Sequence, residues 1–293
     1  MRIIFKKCRL FLEYFIIKIL FLVLSILPLN IVSGFGGYLF KLIGPLSKAH
    51  KTARSNYKKI FKSLNNYEIN LDISKSWENL GRTMFELSVL NRIVDKKNNK
   101  IFLTGLENLK QINEKNKKVI FFSIHQSNWE ILVPIIDSLG FSVGAIYRHL
   151  NNKFIDHLIL KKRSQNIDTR KSFYSAKGKE SAKQILSAIK NRSSMILLID
   201  QKDTAGELIK FFDIETKTQI GFLKIAKKYN LKLIPVRNTR FKKNNFKINF
   251  YPPIKPFEKN ISEGKAMLSI HKIVEEWIKD NPTQWLWQHN RFN

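Results

Sequence analysis

The sequence has only one cysteine, Cys8, among its 293 residues. A single thiol forms no intramolecular disulfide framework, and a cysteine-rich metal site is excluded in the same way. Cys8 lies in the basic N-terminal flank, far from the segment around His125, so a covalent cysteine mechanism is not expected. Internal repeats and low-complexity domains are also lacking. The length is sufficient for one large α/β domain with an attached segment.

Acidic residues are scarce, since 23 Asp and Glu stand against 52 Lys and Arg, and the formal net charge is +29 at pH 7. Such an excess indicates an acidic partner, which could be nucleic acid, anionic lipid or an acidic carrier protein. A biased amino-acid composition explains part of this positive charge, because Lys, Asn, Ile and Phe are abundant together. The lysines are spread along the whole chain and no nucleic-acid-binding motif is present, so no nucleic-acid partner is expected.

The N-terminus contains an apolar segment, residues 10–29, that is about one bilayer span long and is interrupted only by Glu13 and Lys18. A cleaved signal peptide is the competing interpretation, but no small-residue cleavage site is present. The two charges also permit a helix that lies in the interface. Basic residues flank the segment and are more numerous after it, which places the main domain in the cytoplasm. We expect residues 1–30 to form a membrane anchor helix in contact with membrane lipids.

Strand and helix patterns alternate in the second part of the chain. Residues 31–96 predict a helical lead-in, with helices at 31–64 and 73–94, and residues 97–293 predict an α/β core. In the core, strands are predicted at 117–124, 142–147, 194–199, 231–237 and 246–251, and helices at 128–138, 151–165, 176–191, 217–229 and 262–279. This alternation indicates a mainly parallel central sheet flanked by helices. In such sheets ligands bind beyond the carboxyl ends of the strands.

A histidine at the end of a predicted strand is the strongest sign of a site. The apolar run that begins at Val119 stops at His125, and Glu130 follows at the start of a helix. We expect the strand to deliver the imidazole to the site and Glu130 to orient it. The spacing alone is weak evidence, because His271 and Glu276 repeat it. That second pair lies in one continuous helix, where side chains five residues apart diverge by roughly 140°, so we expect His271 to be a partly buried structural residue.

Glu130 and Asp200 each have an alternative interpretation. Ser127 and Glu130 also fit a capping box, in which Ser127 is the N-cap residue. The two roles of Glu130 are compatible, because a helix start also places free N–H groups beside the histidine. Asp200 directly follows an apolar strand and therefore falls at the same sheet edge as His125. A turn-forming aspartate is the alternative interpretation of Asp200.

Short sequence blocks occur in a fixed order over nearly the whole chain. They are Ser123–Glu130, Tyr147–Arg148, residues 152–156 with Arg163, Ile199–Gln201, Phe211–Phe212 and the tryptophan-rich Pro282–Phe292. In order and spacing they resemble the late lipid A acyltransferases, the lauroyl and myristoyl transferases of Gram-negative bacteria. The sequence departs from the family pattern at His149, where proline is common, and at Lys202, which begins Lys-Asp-Thr-Ala in place of a more usual Asp-Tyr-Gly.

The resemblance implies transfer of a fatty acyl group from acyl carrier protein to a hydroxyl of a Kdo-bearing lipid A precursor, in lipopolysaccharide biosynthesis at the cytoplasmic side of the inner membrane. It also implies a glycerolipid-acyltransferase-like α/β fold, and neither a metal nor a cofactor is needed. His125 would be the general base and Glu130 its orienting acid, while amides after Ser127 would stabilise the oxyanion.

The resemblance also suggests substrate-binding residues. Arg163 would bind a phosphate of the acceptor, with a solvated basic face as its alternative. Asp200 would pair with Arg163, and Arg148 is a weaker candidate. Trp285, Trp287 and Phe292 are expected to be core or interfacial anchors.

Two other functions remain open at this point. The first is an acyltransferase for lysophosphatidic acid or another glycerolipid, which usually has Asp in place of Glu130 and a later Phe-Pro-Glu-Gly block that this chain lacks. The second is a basic membrane-bound protein that binds nucleic acid. It would bind in a strongly salt-dependent manner and tolerate substitution of His125.

Overall fold

The structure is a computed structural model that describes residues 2–110, 112, 118–176, 179–190, 193–255, 257 and 261–292. Four parts of the predicted elements lie outside the described residues: residue 1 of the anchor helix, residue 117 of a strand, and residues 177–178 and 191 of a helix.

The N-terminal part is helical, as predicted, but its helices are shorter than expected. Four helices follow one another: α1 (Arg2–Ile26), α2 (Leu29–Ile43), α3 (Lys48–Ile60) and α4 (Asn66–Glu86). The prediction of one helix over 31–64 is wrong, because a 3-10 turn at Gly44–Leu46 separates α2 from α3. Pro45 lies within that turn, and proline cannot donate the backbone hydrogen bond that a continuing α-helix needs.

Helix α4 starts earlier than predicted because Asn65 and Glu68 form a capping box. After α4 a 3-10 turn, Leu87–Val89, leads to α5 (Leu90–Val94). Helices α2 and α4 cross in close contact, since a Cβ atom added to Gly81 would lie only 2.1 Å from the carbonyl oxygen of Gly36. This packing fixes α4, which later contributes side chains to the candidate site.

Helix α1 is packed against the rest of the chain, and the predicted bilayer span at residues 10–29 is not confirmed. Among the described residues, no helix has both the length and the apolar character needed to cross a membrane. Asn152 donates to the carbonyl of Leu10 at 2.7 Å and to the carboxylate of Glu13 at 3.0 Å. The remaining surface of α1 exposes large apolar side chains: Phe5, Leu12, Phe15, Ile16, Ile19, Leu22, Val23 and Ile26.

The core is built on a mainly parallel sheet, as predicted. The described chain places seven strands in it: β1 (Ile101–Thr104), β2 (Ile120–Ser123), β3 (Val143–Tyr147), β4 (Phe173–Ala176), β5 (Ser194–Leu198), β8 (Leu233–Phe241) and β9 (Asn245–Phe250). Their order is β1-β9-β8-β2-β5-β3-β4, and only the β8–β9 pair is antiparallel. A separate antiparallel hairpin consists of β6 (Lys202–Phe211) and β7 (Ile214–Thr218). The predictions lacked β1, β4 and this hairpin.

Helices cover both faces of the sheet. They are α6 (Glu107–Lys110), α7 (Leu132–Ser138), α8 (Lys153–Ser164), α9 (Lys179–Lys190), α10 (Gly221–Tyr229) and α11 (Glu263–Asp280). On the central strand β2, Phe121 packs into one buried cluster, whereas Ile120 and Phe122 pack into the other. Burial on both faces is typical of parallel sheets, so the carboxyl edge of the sheet is the natural place for a site.

Candidate functional site

His125 and Asp200 lie side by side at the carboxyl edge of the sheet. Strands β2 and β5 are parallel neighbours, and Ser123 is in register with Leu198. His125 and Asp200 each follow two residues after this pair, just beyond the ends of the strands. The Nδ1 atom of His125 is 2.8 Å from Oδ1 of Asp200. The backbone N–H of His125 donates to Oδ2 of the same carboxylate at 3.0 Å. The prediction that both residues fall at this edge is confirmed.

Asp200 is buried and is held in its ionised form. Trp285 donates its indole N–H to Oδ2 at 2.7 Å, so three donors converge on this carboxylate. Burial by itself would raise the pKa of Asp200, but the charge of His125 and the three hydrogen bonds outweigh it and hold the pKa below its ordinary value. The carboxylate is therefore an acceptor for the imidazole over the whole physiological pH range.

The contact with Asp200 assigns the protons of the imidazole ring. Because an ionised carboxylate can only accept, Nδ1 carries the proton in the neutral form of the His125 ring, and the lone pair of that form is on Nε2. The side-chain nitrogen of Gln201 lies 3.3 Å from that Nε2 atom, and the edge of the Trp129 ring packs against the imidazole with 5.1 Å between ring centroids. The ring is thus oriented with a basic nitrogen directed away from Asp200.

Glu130 does not orient His125, and this prediction is wrong. Arg163 donates to the two oxygens of Glu130, from Nε at 2.7 Å and from Nη2 at 2.6 Å. The Glu130 side chain is only 6% exposed, and a buried carboxylate needs such a bidentate partner. Glu130 instead joins the turn after His125 to helix α8.

Arg163 is correspondingly not paired with Asp200, contrary to the prediction. Burial would lower the pKa of Arg163, but the charge and the hydrogen bonds of Glu130 raise it above its ordinary value. The rings of Tyr147 and Tyr174 flank the guanidinium, with centroids at 5.7 and 6.0 Å. Glu130 thus occupies the Nε–Nη2 side of the planar guanidinium, and that side is not available to a phosphate.

The alternative interpretation, a capping box with Ser127 as the N-cap residue, is also wrong, since the N-cap residue is Asn128. The side chain of Asn128 accepts the backbone N–H of Glu130 at 3.1 Å. Ser127 has a left-handed backbone with φ of 56°, which is uncommon for a residue other than glycine. Ser127 lies between His125 and the 3-10 turn that begins at Trp129, so this conformation sets the path of the chain there.

A buried ion pair that sequence reasoning missed supports this turn. Glu86 is fully buried in α4 and accepts from Nη1 and Nη2 of Arg240, at 2.5 and 2.9 Å. It also accepts from Asn128 at 2.8 Å and from Ser33 at 2.6 Å. The sequence did contain a signal for this pair, because Glu86 stands beside the apolar Leu87 at the end of the amphipathic helix α4. The pair anchors Asn128 and therefore the residues that follow His125.

The C-terminal segment 281–292 forms the wall behind the site. The backbone N–H of Leu286 donates to the carbonyl of His125 at 3.0 Å, and Ser127 donates to the carbonyl of Gln284 at 2.9 Å. Trp285 is buried, as a core anchor would be, but it also binds Asp200 directly. One segment therefore contacts both the His125 turn and the carboxylate that orients the imidazole.

His289 and Arg148 lie around the same edge. Nε2 of His289 accepts the backbone N–H of Lys202 at 3.0 Å, and burial, with a small contribution from the charge of Arg148, lowers the pKa of His289. Arg148 follows β3 directly and is exposed. Among the described residues it has no hydrogen bond or ion pair, so its guanidinium is accessible to a ligand.

His271 is a structural residue that does not contact His125 or Asp200 in the described chain. It is buried in α11, more completely than predicted, and its Nδ1 atom is 2.7 Å from the carbonyl oxygen of Lys210. Burial lowers the pKa of His271 to about 4, although that hydrogen bond acts in the opposite direction. The neutral ring packs on Phe211 with 4.7 Å between ring centroids.

The chain is similar in sequence to known bacterial proteins. The family model for bacterial lipid A biosynthesis acyltransferases matches residues 2–293. Two similar proteins are a lipid A biosynthesis palmitoleoyltransferase of Escherichia coli (strain K12) and a lipid A biosynthesis acyltransferase of Shigella flexneri. Each is 23% identical over 297 residues, covering 98% of this chain and 93% of the relative.

A solved structure with partial similarity is the 1-acyl-sn-glycerophosphate (LPA) acyltransferase PlsC from Thermotoga maritima. It is 15% identical, covers 86% of this chain and 97% of its own, and has a TM-score of 0.40.

Proposed function

This chain belongs to the bacterial lipid A biosynthesis acyltransferases, and we propose that it transfers a fatty acyl group from acyl carrier protein to a hydroxyl of a Kdo-bearing lipid A precursor. The observation that carries the mechanism is the contact between Nδ1 of His125 and Asp200 at 2.8 Å. It leaves Nε2 of His125 as the base.

In the proposed reaction the acceptor hydroxyl attacks the carbonyl carbon of the thioester. As the new C–O bond forms, the hydroxyl proton passes to Nε2 of His125, a step that is typically worth about 10²–10⁴ in rate. Asp200 stabilises the resulting imidazolium. The tetrahedral intermediate then breaks its C–S bond, and the departing thiolate takes the proton from His125. Ester, free carrier thiol and neutral imidazole remain, so the atoms and protons balance.

The oxyanion of the intermediate needs hydrogen-bond donors. Asn128 and Trp129 directly follow the His125 turn, and neither backbone N–H finds an acceptor among the residues that the structure describes. The side-chain amide of Gln201, 3.3 Å from Nε2 of His125, is a third donor on the same side of the ring. We assign oxyanion stabilisation to these groups, and we assign Glu130 and Arg163 the positioning of the turn that presents them.

The charge of the chain supports two anionic substrates. Acyl carrier protein is acidic, and a lipid A precursor carries phosphates and Kdo carboxylates, while the net charge of this chain is +29. Arg148 is exposed and accessible at the edge that holds His125 and Asp200. We therefore assign Arg148, rather than Arg163, to binding an anionic group of the acceptor.

We also propose that the protein works at the cytoplasmic face of the inner membrane. Helix α1 exposes a row of apolar side chains, and α2 continues it with Ile31, Phe35 and Tyr38. An exposed apolar surface of this extent is typical of a contact with membrane or protein, and the basic residues Lys6, Lys7 and Arg9 beside it favour anionic lipid.

The experiment is a reconstituted reaction followed by mass spectrometry of the lipid product. Purified protein is incubated with the Kdo-bearing precursor and either acyl carrier protein or coenzyme A as the acyl donor. We expect a mass increase of one acyl chain with the carrier protein as donor, and none with His125→Ala. His271→Asn, a change at the structural histidine of α11, keeps the reaction. Acylation of lysophosphatidic acid in place of the precursor would contradict the proposal and favour a glycerolipid acyltransferase.

A further inference from the structure

The elbow between α2 and α3 contains a cleft that the proposed reaction does not use. Its volume is about 490 Å³, and its lining includes Lys48, His50, Lys51 and Arg54, together with the apolar Leu46. No acidic residue lines it. None of these residues belongs to the site at the sheet edge.

The cationic side chains of this elbow cleft lack counter-charges. Among the described residues, Lys48, Lys51 and Arg54 form no ion pair. The Nε atom of Arg54 is buried and has no hydrogen-bond partner in the described chain. A buried donor without an acceptor is unfavourable, and a bound anion would supply the missing acceptor.

His50 contributes a further donor to the cleft. The indole N–H of Trp77 donates to Nδ1 of His50 at 3.2 Å, so the proton of the neutral ring is on Nε2. Burial and then the charge of Arg54 lower the pKa of His50, which keeps the ring neutral near pH 7. The cleft thus combines a neutral N–H donor with ammonium and guanidinium groups, a set that matches phosphate oxygens.

The surroundings of the cleft indicate which phosphate it would meet. Leu46 is 87% exposed, and Leu42, Ile43 and Tyr38 are exposed beside it. A cationic cleft next to exposed apolar side chains fits an amphiphile with an anionic head and hydrocarbon tails. Lysines such as Lys48 can extend their stems along the apolar surface while the ammonium reaches the headgroup.

We propose that the elbow cleft binds the phosphate of an anionic bilayer phospholipid, with Arg54 and His50 as its inner ligands. The apolar elbow then inserts beside the tails of that lipid. This site is separate from the His125–Asp200 pair, and it would hold α2 and α3 on the membrane surface while the acceptor enters at the sheet edge.

The test measures binding to vesicles of phosphatidylcholine with and without phosphatidylglycerol. Arg54→Gln should weaken binding to the phosphatidylglycerol vesicles about fivefold, the effect of one basic residue near an anionic surface. Lys58→Gln is the matched control, because it removes the same charge from the same helix at an exposed position outside the cleft. An equal loss in both variants would show diffuse electrostatic attraction and overturn the site.

Two further arms identify the source of the phosphate. Inorganic phosphate should release the wild type from phosphatidylglycerol vesicles more effectively than chloride at equal ionic strength, and it should lose this advantage with Arg54→Gln. Turnover in neutral detergent micelles should be unchanged in Arg54→Gln. A raised KM for the acceptor there would assign the cleft to the substrate phosphate and overturn the phospholipid assignment. Lys51→Gln replaces Arg54→Gln if the latter does not fold.

The outcome is independent of the reaction proposed above. Vesicle binding is measured without substrate, so a failed lipid assay leaves acyl transfer untouched. Conversely, absence of acyl transfer in the wild type leaves the vesicle result interpretable.

Discussion

The indole N–H of Trp285 and the backbone N–H of His125 converge on the same oxygen of Asp200, at 2.7 and 3.0 Å. The other oxygen is thereby left to the imidazole, which it meets at 2.8 Å. The C-terminal segment thus takes part in orienting the base, although Trp285 lies 85 residues from the carboxylate in sequence.

Trp285→Phe should therefore slow catalysis. Hydrogen bonds to charged groups contribute about 1.5–3 kcal/mol, which corresponds to a loss of roughly tenfold or more in kcat if the carboxylate shifts. KM for both substrates should change little. Trp287→Phe is the control, since its indole donates to the carbonyl of Pro282 and does not contact Asp200. Equal losses of kcat in the two variants would mean that the tail contributes only packing.

Glu130 and Arg163 should behave as one unit in a double-mutant cycle. Removing one partner of a buried ion pair destabilises a protein by about 3–5 kcal/mol, because the other charge is left uncompensated. Glu130→Gln and Arg163→Met should each lower the free energy of unfolding, and the double variant should lose much less than the sum. Denaturant unfolding in detergent gives these values.

The pair of Glu78 and Arg82 on α4 provides the comparison, because it is more exposed and should couple by only a few tenths of a kcal/mol. Additive losses at Glu130 and Arg163 would contradict the assigned pairing. We also expect Arg163→Lys to leave KM for the acceptor unchanged, because Arg163 is not assigned to the acceptor.

His271 should make the protein sensitive to acid. Its pKa is lowered by burial to about 4 in the folded state, against 6.5 for the free side chain. Between these values the unfolded chain binds a proton that the folded chain does not. The contribution of the neutral ring is therefore complete above pH 6.5 and is lost as the pH falls toward 4, by about 3 kcal/mol in total.

Unfolding measured at pH 7 and near pH 4 tests this expectation. His271→Asn should lose less stability between the two conditions than the wild type. The same change at the exposed His157 should leave the difference unaltered. If His271→Asn were as sensitive to acid as the wild type, another group would be responsible.

The strand pattern of the sequence was enough to place the two main residues. Apolar runs that end at His125 and at Asp200 predict two parallel strands whose carboxyl ends share an edge, and the structure confirms this. The sequence could not reveal that β2 and β5 are direct neighbours, because strand order depends on the packing of the whole sheet. Without that adjacency, the nearest acid in sequence, Glu130, was the natural partner for His125.

Local conformation accounts for the other differences. The left-handed backbone of Ser127 cannot be foreseen for a residue that usually avoids it, and the pairing of Glu130 with Arg163 is a contact between residues 33 positions apart. The hairpin of β6 and β7 was missed because β6 is largely exposed and lacks a long apolar run. The apolar residues 10–29 predict one continuous span, but Glu13 binds Asn152 and a second helix begins after Pro28.

The most direct measurement is the single-turnover rate of acyl transfer by Asp200→Asn. If Asp200 orients His125, the rate should fall by about 10²–10⁴ while the protein remains folded and still binds the acceptor. Asp137→Asn alters another buried acid, one that contacts Ser172 instead of the imidazole, and should keep a rate close to that of the wild type. A folded Asp200→Asn protein with the wild-type rate would contradict the account.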